Sequence, residues 1–167
     1  MKKKKKWIII LAVAAAVLIF CAVVLYDTAM TDYAGVYPGM SAYEMVAAVP
    51  QDNAYLYQGY YFYTNKWGNP IVARFSQDTK VVVELISYPA LAIRTSERAF
   101  DRIKPGMTLH EVIAIVGIPN APRASDASAL AYKDKSGNIY HIYLEDRSVF
   151  EEFQELYVTA VQKLSEE

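Results

Sequence analysis

The two histidines of the chain have no sequence neighbours that would make either of them a catalytic group or a metal ligand. His110 stands near the start of an apolar segment, and His141 alternates with Tyr140 and Ile142 in a strand-like run. Zinc sites combine several Cys, His or carboxylate ligands at short spacings, which neither histidine has. The sequence also contains no glycine-rich phosphate loop and no Gly-x-Ser-x-Gly motif. We therefore predict no catalytic residue, no metal and no cofactor.

Two glutamates that could suggest paired catalytic carboxylates have a simpler structural interpretation. Ser41 is followed three residues later by Glu44, and Thr108 is followed three residues later by Glu111. In such a capping box the hydroxyl accepts a hydrogen bond from the helix backbone, and the carboxylate accepts one from the backbone N–H of the capping residue. The pattern therefore predicts two helix N-termini.

Tyrosines are concentrated in the first part of the chain, where nine of the 14 lie between Tyr26 and Tyr63. Tyrosine is enriched at binding surfaces because it combines a large contact area with few rotatable bonds and a polar tip. On a strand, Tyr61 and Tyr63 share one face and Tyr60 and Phe62 the other. One pair is expected to pack under a helix and the other to be open to a partner, although tyrosine also simply favours strands. The candidate partner face consists of Tyr55, Tyr57, Tyr61, Tyr63 and Trp67.

An apolar run near the N-terminus predicts a single-pass membrane anchor. Residues 7–26 contain no charged side chain, and a helix of that length is about 30 Å long, which matches the hydrocarbon core of a bilayer. Trp7 and Tyr26 flank the run as an aromatic belt would, and the lysines of residues 1–6 favour a cytoplasmic N-terminus. The remainder of the chain is then extracytoplasmic.

Two other interpretations of the apolar run stay open. A cleaved signal peptide usually has a shorter apolar core and a small-x-small exit, whereas this run ends in Val-Val-Leu-Tyr-Asp. A lipoprotein signal needs a small residue before its cysteine, and here Phe20 precedes Cys21. As the single cysteine of the chain, Cys21 forms no intrachain disulfide and suits a membrane helix as a small apolar residue.

The charge balance of the chain argues against nucleic acid as a partner. The segment before Asp27 holds five of the 17 basic residues and none of the 18 acidic ones. From Asp27 onward, 12 basic residues stand against 18 acidic ones, a formal net charge of −6. Nucleic-acid phosphates require a basic footprint, which an acidic ectodomain does not provide.

Two parts of the chain resemble each other. Residues Val36–Val46 match Ile103–Ile113 at an offset of 67, with Pro, Gly, Met, Ser/Thr and Glu in register. Residues Tyr63–Asn69 match Tyr132–Asn138 at an offset of 69. Matches in the same order at nearly the same offset indicate a tandem repeat.

Each copy is predicted to fold as one helix followed by a three-stranded antiparallel meander, which makes the fold class α+β. Pro-Gly turns at Gly39 and Gly106 precede short helices over 42–49 and 109–116. The predicted strands are 60–63, 70–75 and 81–87 in the first copy, and 129–133, 139–144 and 148–153 in the second. Apolar residues then recur at helical spacing, so a C-terminal helix is predicted over 154–167. The domains are repeat 1 (33–89), a linker (90–101) and repeat 2 (102–153).

The second copy resembles the signature of the SmpA/OmlA (BamE-like) family. The resemblance lies in Arg102–Val112 and the following Val116–Pro119, whereas in the first copy Pro50 stands where Gly117 stands. That family includes a small lipoprotein of the outer-membrane β-barrel assembly machine, and a doubled helix-plus-meander unit is similar to the β-lactamase inhibitory protein family. The resemblance implies a non-catalytic binding scaffold in the cell envelope, and the chain departs from the lipoprotein in lacking a lipobox.

We therefore predict a membrane-anchored binding module of the cell envelope, which contacts an unidentified envelope protein through its sheet face or its tyrosine-rich loop. One alternative is a structural or sensory membrane accessory protein whose transmembrane helix pairs with other membrane helices. A secreted-type enzyme inhibitor is another. A hydrolase or ligand carrier would require a cleft in which polar side chains converge, and the sequence offers no candidate set for one.

Overall fold

The structure, a computed structural model, describes residues 2–49, 54–121, 129–148 and 155–164. The chain divides into two compact units, Met1–Asp32 and Tyr33–Glu167.

The first unit is one helix, α1, over Lys2–Thr31. It extends five residues beyond the predicted end of the apolar run, and the hydroxyl of Thr28 donates to the carbonyl of Val24 at 2.8 Å, which satisfies that polar group within the helix. The segment Leu11–Thr31 is long and apolar enough to cross a membrane, a property that signal sequences share.

The second unit is an α+β fold with two antiparallel sheets among the described residues. Its helices are α2 (Ala42–Ala48), α3 (Glu97–Phe100) and α4 (Leu109–Val116), with a 3-10 turn at Ala90–Ala92. Its strands are β1 (Tyr55–Tyr57), β2 (Tyr60–Thr64), β3 (Pro70–Phe75), β4 (Val82–Ser87), β5 (Ala129–Lys133), β6 (Ile139–Asp146) and β7 (Leu156–Leu164). The strand order is β1-β2-β3-β4 in one sheet and β5-β6-β7 in the other.

Both α2 and α4 begin at the capping boxes that the sequence predicts. Glu44 N–H donates to Ser41 Oγ at 3.3 Å, and Ser41 N–H donates to the Glu44 carboxylate at 3.0 Å. The corresponding distances for Thr108 and Glu111 are 3.2 and 2.7 Å. These hydrogen bonds satisfy backbone donors that the first helical turn leaves without an intrahelical partner.

The turn before each of these helices is hydrogen-bonded to a strand of the sheet that follows it. Gly39 N–H donates to the carbonyl of Val82 at 2.7 Å, and Gly106 N–H donates to that of Val158 at 2.8 Å. Each valine N–H in turn donates to the carbonyl of the methionine after the glycine, at 2.8 Å. Both glycines have φ near +90°, a conformation that L side chains rarely adopt. The backbone thus fixes where each helix starts against its sheet.

The loops that join β2 to β3 and β5 to β6 also share one hydrogen-bond pattern. In each loop a buried side chain, Asn65 or Asp134, accepts the backbone N–H groups two and four residues later through Oδ1, at 2.8 to 3.0 Å. Hydrogen bonds from the side chain and backbone of Asn138, and from the backbone of Ser136, lower the pKa of Asp134. These contacts hold the two hairpins in the same local shape.

Two apolar cores hold the second unit together. The first lies between α2 and one face of the four-stranded sheet, and includes Met45, Tyr61, Tyr63, Ile71 and Phe75. The second joins the opposite face of that sheet to α3, α4 and one face of the three-stranded sheet. Its large side chains that are almost completely buried are Tyr60, Phe62, Phe100, Leu109, Ile113, Leu130, Tyr132, Ile142 and Leu156. The two sheets are therefore separate in hydrogen bonding but share one core.

The predicted C-terminal helix is wrong, because Leu156–Leu164 forms strand β7, paired antiparallel with β6. Leu156 and Val158 are buried whereas Tyr157 is half-exposed, and this alternation is that of a strand. The third strand predicted over 148–153 lies mostly outside the described residues, and Ser148 itself is not in a strand. The other five predicted strands are confirmed, and β1 is an additional strand.

Thr108→Ala tests the capping box of α4. We expect the free energy of unfolding of the full chain in detergent micelles to fall by about 0.5–2 kcal/mol, because the backbone N–H of Glu111 loses its acceptor and the Glu111 carboxylate loses the hydroxyl that donates to it. Urea titration followed by circular dichroism measures it. Thr79→Ala, in an exposed loop, is the control and should change stability by less than about 0.5 kcal/mol. Equal effects of the two variants would contradict a capping role.

Tyr132→Phe tests a buried hydroxyl that has no hydrogen-bond partner in the described part of the chain. Burial, with the nearby hydroxyls of Tyr55 and Tyr57, raises the pKa of Tyr132. Because an unsatisfied buried hydroxyl costs about 1–3 kcal/mol, the variant should be as stable as the wild type or more stable. Tyr140→Phe, which loses a hydrogen bond to Asp134, should be less stable. A destabilised Tyr132→Phe would show that its hydroxyl is satisfied.

Candidate functional site

The aromatic residues predicted to form a partner face are mostly in the core. Tyr57, Tyr61 and Tyr63 are at least nine-tenths buried, and Tyr63 has no exposed surface. Tyr55 is half-buried and packs against the shared core. Trp67, in the loop after β2, is 47% exposed. Of the predicted set, Trp67 therefore offers the largest exposed fraction.

Strand β2 has both faces buried, which corrects the expectation that one of its tyrosine pairs is open to a partner. Tyr61 and Tyr63 pack under α2, and Tyr60 and Phe62 pack into the core shared by the two sheets. The expectation assumed that each copy folds separately, with a helix covering one face of its sheet and the other face open. The second face is covered because the second half of the unit packs on it, and this arrangement cannot be read from β2 itself.

A polar cluster lies where α4 meets the four-stranded sheet. The Tyr88 hydroxyl is 2.5 Å from Nδ1 of His110. Glu84 Oε2 lies 3.0 Å from Arg74 Nε and 3.9 Å from His110 Nε2. Tyr60, which neighbours Arg74 across the sheet, places its ring 6.1 Å from the imidazole. We call these five residues the junction cluster, because they join strands β2 to β4 to the first turn of α4.

Burial dominates the electrostatics of the junction cluster. It lowers the pKa of His110, an effect that Glu84 opposes and Arg74 reinforces. It also raises the pKa of Tyr60 to about 12, in spite of the nearby guanidinium of Arg74. The pKa of Tyr88 is raised by burial and by the charge of Glu84. The phenols keep their protons at neutral pH, and the Tyr88 hydroxyl donates to Nδ1 of His110 when the imidazole is in its Nε2–H form.

A cavity of about 200 Å³ opens beside the junction cluster. Its polar lining includes Tyr60, Arg74, Glu84, Thr108, His110 and Tyr157. This volume is below the roughly 300–1,000 Å³ of pockets that hold drug-sized ligands. The arrangement suits a few water molecules or a small polar group.

Sequence reasoning missed the junction cluster because the partners of His110 come from a distant part of the chain. Arg74 and Glu84 lie opposite each other on β3 and β4, more than 20 residues before the histidine. Arg74 is the one charged residue in an otherwise apolar strand, and it could have indicated the cluster. If both faces of the sheet are covered, a charge there needs a partner. His141 is separate from the cluster and lies beside Tyr143 on β6.

Comparisons with known protein families, curated proteins and solved structures find no significant match to this chain. The fold and the site define it as an α+β protein with an N-terminal apolar helix, two antiparallel sheets and a polar junction. In the described ranges no group of three or more His, Cys, Asp or Glu side chains is arranged to hold a metal ion.

The lowered pKa of His110 predicts a pH dependence of stability. A group whose pKa is lower in the folded than in the unfolded protein favours folding at pH values above its unfolded pKa, near 6.5. The free energy of unfolding should therefore fall as the pH is lowered from about 7 towards 5. Denaturant titrations across this range should show a smaller decrease for His110→Gln than for the wild type. His141→Gln is the matched control, and a wild-type slope in His110→Gln would contradict the assignment.

Proposed function

We propose that this chain is a non-catalytic, membrane-anchored protein-binding module of the cell envelope. In this proposal residues 7–26 lie in the membrane, residues 1–6 lie in the cytoplasm, and the α+β unit is extracytoplasmic. The length and apolarity of α1 support an anchor, and the lysines before it support the orientation. The acidic balance after Asp27 is compatible with a protein partner and unfavourable for anionic lipid headgroups.

We also propose that the α+β unit consists of two copies of one helix-plus-meander repeat, related to the SmpA/OmlA family. Three shared features support the duplication: the capping boxes of α2 and α4, the glycine turns bonded to a strand, and the matched loops at Asn65 and Asp134. These contacts fall at the positions where the two sequence segments agree. If the relationship holds, the resemblance implies a scaffold whose surfaces bind other envelope proteins.

The observation that carries the binding proposal is the exposure of large apolar side chains on the α+β unit. Tyr43 on α2 is 85% exposed, Leu91 is 90% exposed, and Leu56 and Trp67 are each about half exposed. These side chains are not among the buried residues of either core. A contiguous exposed apolar patch is typical of a surface that another protein covers, and the proposal requires these side chains to contribute to such a patch.

A second candidate function is small-ligand binding at the junction cluster, because polar side chains converge on a cavity there. Arg74 and His110 each already approach the Glu84 carboxylate, however, so a ligand would have to compete with these contacts. The geometry therefore favours a structural role for the cluster and a binding role for the outer surface.

Crosslinking in native membranes tests the proposed function. The experiment compares the full chain, the double variant Tyr43→Ala/Trp67→Ala, and a chain whose residues 7–26 are replaced by an unrelated apolar helix. The control Lys135→Ala/Ser136→Ala changes the second loop that corresponds to the Trp67 loop. We expect a specific envelope-protein adduct in the wild type, the helix replacement and the control, with at least a fivefold loss in the double variant.

Other outcomes of this crosslinking experiment select among the alternatives. An adduct that is lost on helix replacement and kept in the double variant would make α1 the binding element, as expected of a membrane accessory protein. The absence of any specific adduct with the wild type would overturn the protein-binding proposal. Circular dichroism of each variant separates loss of binding from loss of fold.

A further inference from the structure

His110 connects the two halves of the α+β unit. It lies in the first turn of α4, whereas Glu84 lies in β4 and Tyr88 follows that strand. Glu84 approaches Nε2 of the imidazole and Tyr88 approaches Nδ1. The imidazole also stacks on the Tyr88 ring, with the centroids 6.4 Å apart. A change in the protonation state of this ring therefore acts directly on the contact between α4 and the four-stranded sheet.

The hydrogen bond from Tyr88 requires an imidazole that can accept it. A neutral imidazole has one acceptor nitrogen, whereas imidazolium is a donor at both nitrogens. Protonation of His110 therefore brings two donors to 2.5 Å from each other. If the Tyr88 hydroxyl turns to accept from Nδ1–H, its own hydrogen needs another acceptor, and among the described residues its only hydrogen-bond partner is His110. Because Tyr88 is 8% exposed, the loss of this partner destabilises the docked arrangement.

The groups that face His110 oppose its protonation on balance. The titratable and charged side chains around the ring come from β2, β3, β4, the residue after β4 and the start of β7: Tyr60, Arg74, Glu84, Tyr88, Glu155 and Tyr157. Burial lowers the pKa of His110, and the carboxylates of Glu84 and Glu155 only partly offset that effect. The guanidinium of Arg74 lowers this pKa further. The pKa values of the three phenols are raised, so the histidine rather than a tyrosine changes charge between about pH 5 and pH 7.

Backbone hydrogen bonds hold the start of α4 to the three-stranded sheet. Gly106 and Met107 pair with Val158 of β7, and the capping box at Thr108 lies within the same half. On the other side, a cavity of about 200 Å³ lies between the first turn of α4, strands β3 and β4, and the start of β7. The first turn can therefore move away from the four-stranded sheet while it stays attached to β7.

We propose that the junction cluster is a pH-sensitive contact between the two halves of the α+β unit. When His110 binds a proton, the Tyr88 hydroxyl loses its acceptor, and the first turn of α4 separates from the four-stranded sheet while it remains paired with β7. The cavity then widens and admits water to the imidazolium. Protonation of histidines at interfaces acts in this way in pH-sensing proteins. The inference does not depend on the proposed protein-binding function.

Hydrogen–deuterium exchange of the ¹⁵N-labelled full chain in detergent micelles tests this inference at about pH 7.5 and pH 5. Each amide rate is divided by the rate of an unstructured peptide at the same pH, which gives a protection factor, and the ring ¹⁵N shifts of His110 report its protonation. We expect the protection factor of Val112 in α4 to fall by about threefold or more at the lower pH. Exchange of Val112 should then be insensitive to low urea concentrations, as for a local opening, whereas exchange of Ala73 in β3 should rise with urea, as for global unfolding.

Three variants assign the effect to one contact. In His110→Gln the protection factor of Val112 should no longer depend on pH, because the amide side chain does not titrate, whereas the matched control His141→Gln should behave like the wild type. Tyr88→Phe lacks the hydroxyl, so its Val112 amide should already be less protected at the higher pH and should change less on acidification. Circular dichroism checks the fold of each variant, and the wild-type comparison of Val112 with Ala73 remains decisive if a variant does not fold.

Four results would overturn the pH-sensitive contact. The first is a His110 ring that stays neutral at the lower pH. The second is an unchanged protection factor at Val112 although the ring is protonated, since the imidazole would then only turn towards solvent. The third is the same protection factor and the same urea dependence for Val112 and Ala73 at the lower pH, which would mean that exchange requires global unfolding. The fourth is a pH effect of wild-type size in His110→Gln.

Discussion

The fold of the α+β unit depends on the apolar core that its two sheets share. Helix α4 contributes Leu109, Val112, Ile113 and Val116 to this core, all buried. Burial of each such side chain stabilises the folded state by about 1.5–3 kcal/mol. The four-stranded sheet supplies one of its faces to the same core. Each sheet covers one face of the other across this core, so the two halves form one packed body.

Backbone hydrogen bonds determine how α4 enters this core. The turn at Gly106 is paired with β7, and the capping box at Thr108 starts the helix two residues later. Because the first turn is held from both sides, the buried stripe of α4 is aimed into the core. The junction cluster adds polar contacts at the same helix end, where Tyr88 and Glu84 approach His110. The hydrogen bond between Tyr88 and His110 forms only when α4 sits at this position on the sheet, so it favours one docking geometry over others.

Local features of the fold could be predicted from the sequence, whereas features created by packing could not. The capping boxes and five strands follow from short-range chemistry, since hydroxyl–glutamate spacing and alternating apolar residues act over a few positions. The segment after Phe153 was predicted as a helix because Leu156, Tyr157, Val161 and Leu164 also fit helical spacing. In the structure this segment pairs with β6, and this pairing makes it a strand. The burial of both faces of β2 and the partners of His110 likewise depend on contacts between distant segments.

The shared core also has a consequence for how the chain could be divided. The segment 90–101 looks like a linker between two independent domains, and a biochemist would choose it as the place to cut. A fragment that ended there would leave Tyr60, Phe62 and Val72 in contact with water, although they are almost completely buried in the intact unit. The fragment on the other side keeps α4 but would lose the four-stranded sheet that packs against it. A break in this segment therefore yields two fragments with exposed apolar surfaces that must associate again, and the two halves of the unit fold or unfold together.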